Sequence, residues 1–280
     1  MVEKTTGFAG AKTEMMTFGN RVSAFLAVPE NVAPPYPVVM LCHERYGLVQ
    51  HTLDLAAKWA ADGYLSIAPD LFSRWDGDKE ALARGDFMVP ISDDEIRIYM
   101  GETIDYLLER PDVDAKRIAV MGVCQSGEYP LVLNSFRDEV AANIVVYGGA
   151  QTGIVNVWDV GEVRREPYED ILKRVKAPII GIWGEDDFVV SVDDVQRLRN
   201  TLEKHMKTYV FKLYRDMPHG WFNSTMPGRY RPAETEDAWA YIKKFLDDVY
   251  AGAFPKDRVL WRFESDIAPD YDFTKKYRQV

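Results

Sequence analysis

Short apolar runs alternate with amphipathic segments along most of this chain. The run V-V-M-L-C at 38–42 is apolar throughout, which is typical of a strand buried on both faces of a parallel sheet. The segment after Ser92 has a different pattern: S-x-x-E forms a capping box, and Ile96, Ile104 and Leu107 fall on one side of a helix. This alternation predicts an α/β fold with a mostly parallel central sheet and helices on both faces.

The same patterns place further elements along the chain. We expect strands at 13–18, 21–28, 38–42, 64–68, 117–121, 141–147, 178–183 and 208–214. Helices are expected after Ser92 and at 53–61, 192–204 and 235–250. The segment 152–176 and the tail from 251 do not fit the alternation, although the tail carries many apolar residues. We therefore predict one domain over 1–280, with an insertion around 152–176 and a C-terminal extension, 251–280, packed on the body.

Composition narrows the class of protein. Of the 280 residues, 47% are hydrophobic and 12% aromatic, enough for a large core, so disorder is disfavoured. The net charge of −10 argues against a nucleic-acid partner, which calls for basic residues that neutralise phosphates. No apolar run approaches the ~20 residues of a membrane span, and the N-terminus lacks a signal-peptide pattern. We expect a cytoplasmic protein with no membrane partner, whose two cysteines, Cys42 and Cys124, are free thiols.

The hexapeptide G-V-C-Q-S-G at 122–127 directly follows a predicted strand. A nucleophile elbow needs small residues at its flanking positions, because the strained strand-to-helix turn brings backbone segments close together. Gly122 and Ser126 supply them, and the turn would expose Cys124 at a helix N-terminus, where a thiolate is favoured. The alternative is a buried cysteine in an ordinary glycine-flanked turn. Cys42 ends a strand without such glycines, so we assign it to the core.

Only four histidines are available as the acid–base partner of such a nucleophile. In this type of fold the acid and the histidine follow the nucleophile in the chain, which removes His43 and His51. His205 lies in a polar helical stretch and belongs on a solvated face. His219 lies in the loop-forming sequence P-H-G-W-F, after the last predicted strand, and is therefore the candidate.

The acid should close the preceding strand, and G-E-D-D-F-V-V at 184–190 offers three adjacent carboxylates. The usual spacing in such hydrolases, G-x-x-D-x-x-V, selects Asp187 together with Val190. Sliding the frame by one residue selects Asp186 instead. We prefer Asp187; the structural alternative is that these acids merely cap the following helix.

A further candidate element is C-H-E-R-Y-G at 42–47, after a buried strand. The loop at this place normally supplies one oxyanion donor, and the residue after the nucleophile supplies the other. This predicts the backbone N–H groups of Arg45 and Gln125 as the oxyanion hole. Glu44, at the mouth of the strand, is a fourth candidate catalytic residue beside Cys124, Asp187 and His219. The alternative is that His43-Glu44 is an ordinary loop pair.

These motifs resemble the dienelactone hydrolase family of the α/β-hydrolase superfamily. The elbow is similar to that family's G-x-C-x-G-G, H-E-R-Y-G resembles its Q-E-x-F-G, and P-D-L-F, V-Y-G-G, G-E-D-D-F-V-V and P-H-G-W-F follow in the family's order. The resemblance covers about 13–250 and implies an α/β-hydrolase fold. It also implies that Glu44 contacts the thiol of Cys124, that the free enzyme holds this cysteine mainly as a neutral thiol, and that Tyr147 lies near the site.

The chain departs from the family pattern within the site. Ser126 replaces a glycine of the elbow. The family's lactone-processing members bind the substrate carboxylate through arginines, one of them four residues after the catalytic histidine, and here that position is Asn223. The arginines available as substitutes are Arg45, Arg74, Arg84, Arg229 and Arg231. The expected substrate-binding residues are Tyr147, Asn223, Tyr46 and Trp221.

The resemblance implies a hydrolase that cleaves a lactone or activated ester through a thioester on Cys124. Two alternatives stay open: a general carboxylesterase or thioesterase on the same scaffold, and a non-catalytic receptor that uses the pocket to bind ligands. No metal or organic cofactor is implied, and the expected partner is a small-molecule lactone or ester. A homo-oligomer is compatible with the sequence, which does not set the oligomeric state.

Overall fold

The computed structural model describes residues 9–153 and 156–273. Within them, nine strands form one sheet: β1 (Ala11–Phe18), β2 (Val22–Pro29), β3 (Tyr36–Cys42), β4 (Leu65–Pro69), β5 (Val113–Val123), β6 (Val140–Val146), β7 (Ile179–Asp186), β8 (Tyr209–Pro218) and β9 (Trp261–Glu264). The α-helices of the same residues are α1 (Gln50–Ala61), α2 (Lys79–Arg84), α3 (Asp93–Glu109), α4 (Tyr129–Asn134), α5 (Tyr168–Arg174), α6 (Val192–Lys204) and α7 (Pro232–Tyr250). The ends of the predicted domain, 1–8 and 274–280, lie outside the described residues, as do 154 and 155 of the insertion.

The sheet is parallel except at one side. The strand order is β1-β2-β4-β3-β5-β6-β7-β8-β9. β2 pairs antiparallel with β1 and β4, and all other neighbouring strands pair in parallel. The carboxyl ends of β3, β5, β7 and β8 therefore meet at one edge, which is where ligands bind in open α/β sheets.

Helices cover both faces of this sheet. β3 is buried continuously from Val38 to Cys42, which requires apolar neighbours on both sides. α1 and α7 pack together through Trp59 and Trp239, whose ring centroids lie 4.3 Å apart. A second layer consists of α3, α4, α5 and α6, each in contact with the next. The predicted α/β architecture is confirmed.

The helix starts follow the capping chemistry of the sequence. Ser92 Oγ accepts a hydrogen bond from the Glu95 N–H (3.2 Å), and the Glu95 carboxylate accepts one from the Ser92 N–H (2.8 Å), so the predicted capping box opens α3. α6 has the predicted bounds, and Ser191 caps it together with Asp194 in the same way. No helix in the described part of the chain combines the length and the apolar composition needed to cross a bilayer.

The two segments that break the alternation contain elements that the sequence pattern did not predict. The insertion holds the short helix α5, one side of which is buried. The extension adds β9, which pairs in parallel with β8. Its apolar side chains divide into those packed against the core, Phe254, Leu260, Phe263 and Tyr271, and those that are exposed, Val259, Trp261 and Phe273. Part of that apolar sequence therefore faces inward and part does not.

Candidate active site

The turn after β5 holds Cys124 in a conformation that few residues adopt. Its φ is +58°, in the left-handed region, and the turn continues into α4. A side chain at Gly122 would collide with the backbone of Ser126 and with Pro130, and one at Gly127 would collide with the backbone of the glycine pair after β6. The sequence needs small residues here because three backbone segments meet. The strained turn lifts the Cys124 side chain to the carboxyl edge of the sheet.

Ser126, which replaces a family glycine, fits this turn without crowding it. The side chain is completely buried, and its hydroxyl accepts a hydrogen bond from the Val123 N–H at 2.9 Å. The hydroxyl also lies 2.9 Å from the Cys42 carbonyl oxygen, to which it donates. Ser126 therefore fastens the nucleophile turn to the end of β3, the strand that leads into Glu44.

Cys124, His219 and Asp187 form an unbroken chain of contacts. Cys124 Sγ lies 3.1 Å from His219 Nε2. His219 Nδ1 donates to the Asp187 carboxylate, at 2.8 Å from Oδ2 and 3.1 Å from Oδ1. The N–H groups of Val189 and Val190 donate to Asp187 Oδ1, at 2.7 and 2.9 Å, and fix the carboxylate. Of the two acids considered, the geometry favours Asp187 over its neighbour.

The order of the strands explains how residues so distant in sequence meet. Cys124 follows β5, Asp187 follows β7 and His219 follows β8, all at the same edge of the sheet. Asp187 and His219 are almost completely buried, with 1% and 6% of their surfaces exposed. Water therefore competes little for the hydrogen bonds between them.

The electrostatics of the site favour a charged imidazole. Burial disfavours the imidazolium, but the Asp187 carboxylate and the Cys124 sulfur outweigh this effect and hold the pKa of His219 well above its usual range. A proton on Nε2 then points at the sulfur. The imidazole is therefore suited to hold the proton that the Cys124 sulfur gives up when it acts as a nucleophile.

Glu44 lies near His219, and its carboxylate accepts hydrogen bonds from two neutral donors. The Tyr147 hydroxyl donates to Glu44 Oε1 at 3.0 Å, and Asn223 Nδ2 donates to Oε2 at 2.6 Å. Burial raises the pKa of Glu44, and these hydrogen bonds and the nearby His219 counteract it only in part. Among the described residues no hydrogen bond joins Glu44 to Cys124, and the contact between them that the family resemblance implies stays a prediction.

The four predicted substrate-binding residues occupy different positions. Tyr147 and Asn223 are buried and contact Glu44. Tyr46 is half-buried, and both Glu44 and the Cys124 sulfur influence its pKa, which burial raises, so it belongs to the surroundings of the site. Trp221 is completely buried and packs on Tyr214, with ring centroids 4.9 Å apart. The Trp221 side chain therefore belongs to the aromatic packing of the core, and substrate binding by Trp221 stays a prediction.

The side chains of the two proposed oxyanion residues donate hydrogen bonds to backbone carbonyl groups of another loop. Arg45 Nη2 donates to the Gly85 carbonyl oxygen at 2.6 Å, and Gln125 Nε2 donates to the Val89 carbonyl oxygen at 2.7 Å. The backbone N–H of Arg45 has no acceptor among the residues that the structure describes. Both side chains are thus held by backbone carbonyl groups, and the oxyanion role of the two N–H groups stays a prediction.

Arg229 is a site residue that no sequence motif indicated. Its guanidinium lies 5.4 Å from the ring centroid of Phe188, which packs in turn against His219. Its charge acts on both Glu44 and Tyr46. The guanidinium groups of the other four arginines considered have hydrogen-bond partners: Arg45 with Gly85, Arg74 with Asn20 and Glu102, Arg84 with Asp86, and Arg231 with backbone carbonyls. In the described part of the chain, the Arg229 side chain has no such partner.

The site offers no evident metal centre. Within residues 9–153 and 156–273, no group of three or more His, Cys, Asp or Glu side chains is arranged to hold a metal ion. His43 donates from Nδ1 to the Glu44 carbonyl oxygen and accepts the Leu71 N–H on Nε2. Both of its ring nitrogens are thus used in fixing the loop, which gives His43 a structural role.

Comparison with known proteins assigns the chain to a family. The model of the dienelactone hydrolase family matches residues 22–250, more than half of the chain. The "Putative carboxymethylenebutenolidase" of Yersinia pestis is 24% identical over 260 residues, which cover 90% of this chain and 93% of the relative.

Two solved structures share the fold. A "Putative Dienelactone Hydrolase" from Klebsiella pneumoniae superposes with a TM-score of 0.72 at 23% identity, over 85% of this chain and 98% of that one. A "Dienelactone Hydrolase-like Promiscuous Phospotriesterase" from metagenomic libraries gives a TM-score of 0.68 at 17% identity, again over 85% and 98%. The chain therefore belongs to the dienelactone hydrolase family and is a carboxylic ester hydrolase with the α/β-hydrolase fold.

Proposed function

We propose that this enzyme cleaves a lactone or an activated ester through a thioester formed on Cys124. The observation that carries the proposal is the chain of contacts from Cys124 Sγ through His219 to Asp187, with Cys124 presented on a strained elbow. A nucleophile, a base and a group that orients the base, in contact in this order, form an arrangement that catalyses acyl transfer. The same contacts between Cys124, His219 and Asp187 argue against a non-catalytic receptor.

In the first half-reaction the Cys124 sulfur bonds to the carbonyl carbon, and the carbonyl electrons move onto oxygen. The backbone N–H groups of Arg45 and Gln125 are the proposed donors to this oxyanion. The tetrahedral intermediate then collapses, the ester carbon–oxygen bond breaks, and His219 gives its Nε2 proton to the departing alkoxide. When the substrate is a lactone, the new alcohol stays attached to the acyl group.

The second half-reaction restores the enzyme. His219 Nε2 takes a proton from water while the water oxygen attacks the thioester carbon. The carbon–sulfur bond breaks, the product leaves as a carboxylic acid, and Cys124 and His219 return to their starting state. Asp187 stabilises the imidazolium in both halves without itself being protonated.

Glu44 supports the Cys124–His219–Asp187 triad in two ways. Through Tyr147 and Asn223 it fixes the loop that carries Arg45, one of the proposed oxyanion donors. Its negative charge also opposes a second one on Cys124, which restrains the thiolate until substrate arrives. Both oxygens of Glu44 already accept hydrogen bonds, so we assign the removal of the thiol proton to His219.

The alternative is a general carboxylesterase or thioesterase, and one observation favours it. At Asn223 the chain has a neutral amide already bound to Glu44, where a carboxylate clamp would need a cation. The test compares kcat/KM for a carboxylate-bearing dienelactone, neutral p-nitrophenyl esters and an acyl thioester, in the wild type and in Cys124→Ala. Faster turnover of the dienelactone supports the lactone substrate, and faster turnover of the neutral esters or the thioester supports the alternative. Turnover that survives in Cys124→Ala contradicts both.

A further inference from the structure

The strand pair that carries Asp187 and His219 is interrupted just before both residues. β7 and β8 pair regularly as far as Gly184 opposite Tyr214, and the next pair is Asp186 opposite Pro218. Residues 215–217 of β8 therefore lie opposite the single residue Glu185. Bulges of this kind re-aim a strand next to active sites and leave backbone groups outside the ladder. Here the residue directly after the bulged strand is His219.

Glu185 fills the gap that this bulge leaves. Its side chain is buried, with 3% of the residue exposed. Glu185 Oε2 accepts the N–H of Asp216, at 3.1 Å, and Asp216 is a bulge residue with φ of +55°. Aspartate enters the left-handed region more readily than most residues, but at a cost that contacts around it must offset. The hydrogen bond from the Asp216 N–H to the Glu185 carboxylate is one such contact.

The other carboxylate oxygen binds the C-terminal extension. Glu185 Oε1 accepts the N–H of Ala268 at 2.8 Å, and the Tyr271 hydroxyl donates to the Glu185 carbonyl oxygen at 3.3 Å. This part of the extension follows β9 and packs on the core through Ile267 and Tyr271. It lies beyond residues 22–250, the range that matches the family.

We propose that Glu185 is a positioning residue that holds the Asp187 and His219 loops in register, with segment 265–273 as its third anchor. Glu185 stands two residues before Asp187, and its partner Asp216 stands three residues before His219. One buried carboxylate thus joins both loops and the extension, and it touches no reacting atom. The inference rests on the proposed function only in that His219 must act on Cys124.

The contacts among Cys124, His219 and Asp187 depend on the relative position of the two loops that Glu185 joins. The contacts of 2.8 and 3.1 Å that His219 makes require the two loops to keep their relative position. A misplacement of about 1 Å can lower a catalytic rate about 100-fold. A carboxylate that merely stabilised the extension would leave these contacts and the titration of His219 unchanged.

The test is Glu185→Gln, with Trp261→Phe as the matched control. Glutamine keeps one acceptor oxygen, so either Asp216 or Ala268 faces an N–H donor. Trp261→Phe removes the hydrogen bond from Trp261 Nε1 to the Lys207 carbonyl oxygen (2.9 Å), which anchors the same extension at the opposite end of β8. Each full-length variant is assayed for ester kcat and KM, for thermal melting and for the pH profile of Cys124 alkylation by iodoacetamide.

We expect Glu185→Gln to lower kcat by about 10-fold or more, with a much smaller change in KM. The inflection of the alkylation profile that belongs to His219 should move to lower pH, because a loosened imidazole loses the neighbours that raise its pKa. Trp261→Phe should lower the melting temperature but leave kcat and the inflection at their wild-type values.

Equal kcat values and equal inflections in the two variants would overturn the inference and leave Glu185 a stabilising residue. Should Glu185→Gln not fold, Tyr271→Phe removes one contact of the same anchor and should move both readouts in the same direction by less; no movement would overturn the inference. The alkylation profile needs no substrate. A wild type without ester turnover would therefore contradict the proposed function, while the profile still tests Glu185.

Discussion

Asn223 donates a 2.6 Å hydrogen bond to Glu44 from the position at which the family's lactone-processing members carry an arginine. Both residues are buried, with exposures of 1% and 3%, so the carboxylate faces an amide dipole where a full positive charge would otherwise lie. Asn223 Oδ1 accepts the Thr225 N–H and hydroxyl, which fixes the orientation of the amide. The active site is therefore built around a buried carboxylate whose hydrogen-bond donors are neutral.

The first prediction concerns pH and stability. Asn223→Asp places a second carboxylate against Glu44 and raises the pKa values of the pair further. A carboxyl whose folded pKa is raised stabilises the fold below its unfolded pKa, and that stability is lost as pH rises through the folded pKa. We expect a loss of about 2 kcal/mol in the free energy of unfolding near neutral pH, which shrinks in acid. Urea unfolding of variant and wild type at about pH 4 and about pH 8 measures it. The same loss at both pH values would contradict the prediction.

A second prediction separates the two adjacent acids. Asp187→Asn should reduce kcat by up to ~10⁴-fold, because an amide neither stabilises the imidazolium nor holds the correct tautomer. Asp186→Asn, the matched control, should have a far smaller effect, since the hydrogen bonds of His219 Nδ1 go to Asp187. Steady-state kinetics on one ester measure both variants. Equal small losses would remove Asp187 from the mechanism, and a larger loss at Asp186 would transfer the role to it.

A third prediction concerns Glu44. Glu44→Gln removes a buried negative charge near Cys124, so the rate of Cys124 alkylation by iodoacetamide near neutral pH should rise. Turnover should fall, because a neutral amide holds Tyr147 and Asn223 less strongly than a carboxylate does, and these two hydrogen bonds fix the loop before Arg45. Peptide mass spectrometry with Cys42→Ser as background gives the alkylation rates. Wild-type alkylation and wild-type turnover together would make Glu44 an ordinary loop acid.

Arg229 is expected to affect substrate choice. The Arg229 charge acts on Glu44, and its guanidinium lies at the edge of the site over Phe188. Arg229→Gln should lower kcat/KM about 10-fold for a lactone that carries a carboxylate and leave neutral esters nearly unchanged, since a charge-assisted hydrogen bond contributes about 1.5–3 kcal/mol. Arg84→Gln removes an exposed arginine paired with Asp86 and serves as control. An equal decrease for charged and neutral substrates would contradict a role for Arg229 in carboxylate recognition.

Much of the scaffold could be predicted because its signals are local. Apolar runs such as 38–42 mark buried strands, and S-x-x-E marked the start of α3 to the residue. The candidate triad followed from spacing and chain order, since only His219 combined a loop position with a place after the elbow. Parallel pairing then brings the ends of β5, β7 and β8 together. These steps need no knowledge of distant contacts.

The features that the sequence did not predict depend on tertiary contacts. β9 has four residues and alternates poorly, and it is a strand because β8 offers it an edge. Trp221 lies two residues after His219, yet packing on Tyr214 turns it into the core. The contact between Glu185 and Ala268 spans 83 positions in the chain, and no local pattern indicates it. The same holds for Arg229, whose place at the site arises from the fold of its loop.

The central claim is that a substrate acyl group resides on Cys124 during turnover. The direct measurement is acid quenching during steady-state turnover of an ester or lactone, followed by mass spectrometry of the peptides that contain Cys124 and Cys42. The account predicts that the mass of the acyl group is added to the Cys124 peptide, that Cys42 stays unmodified because it is fully buried, and that Cys124→Ala lacks both adduct and turnover. An acyl group on another residue, or undiminished turnover by Cys124→Ala, would contradict it.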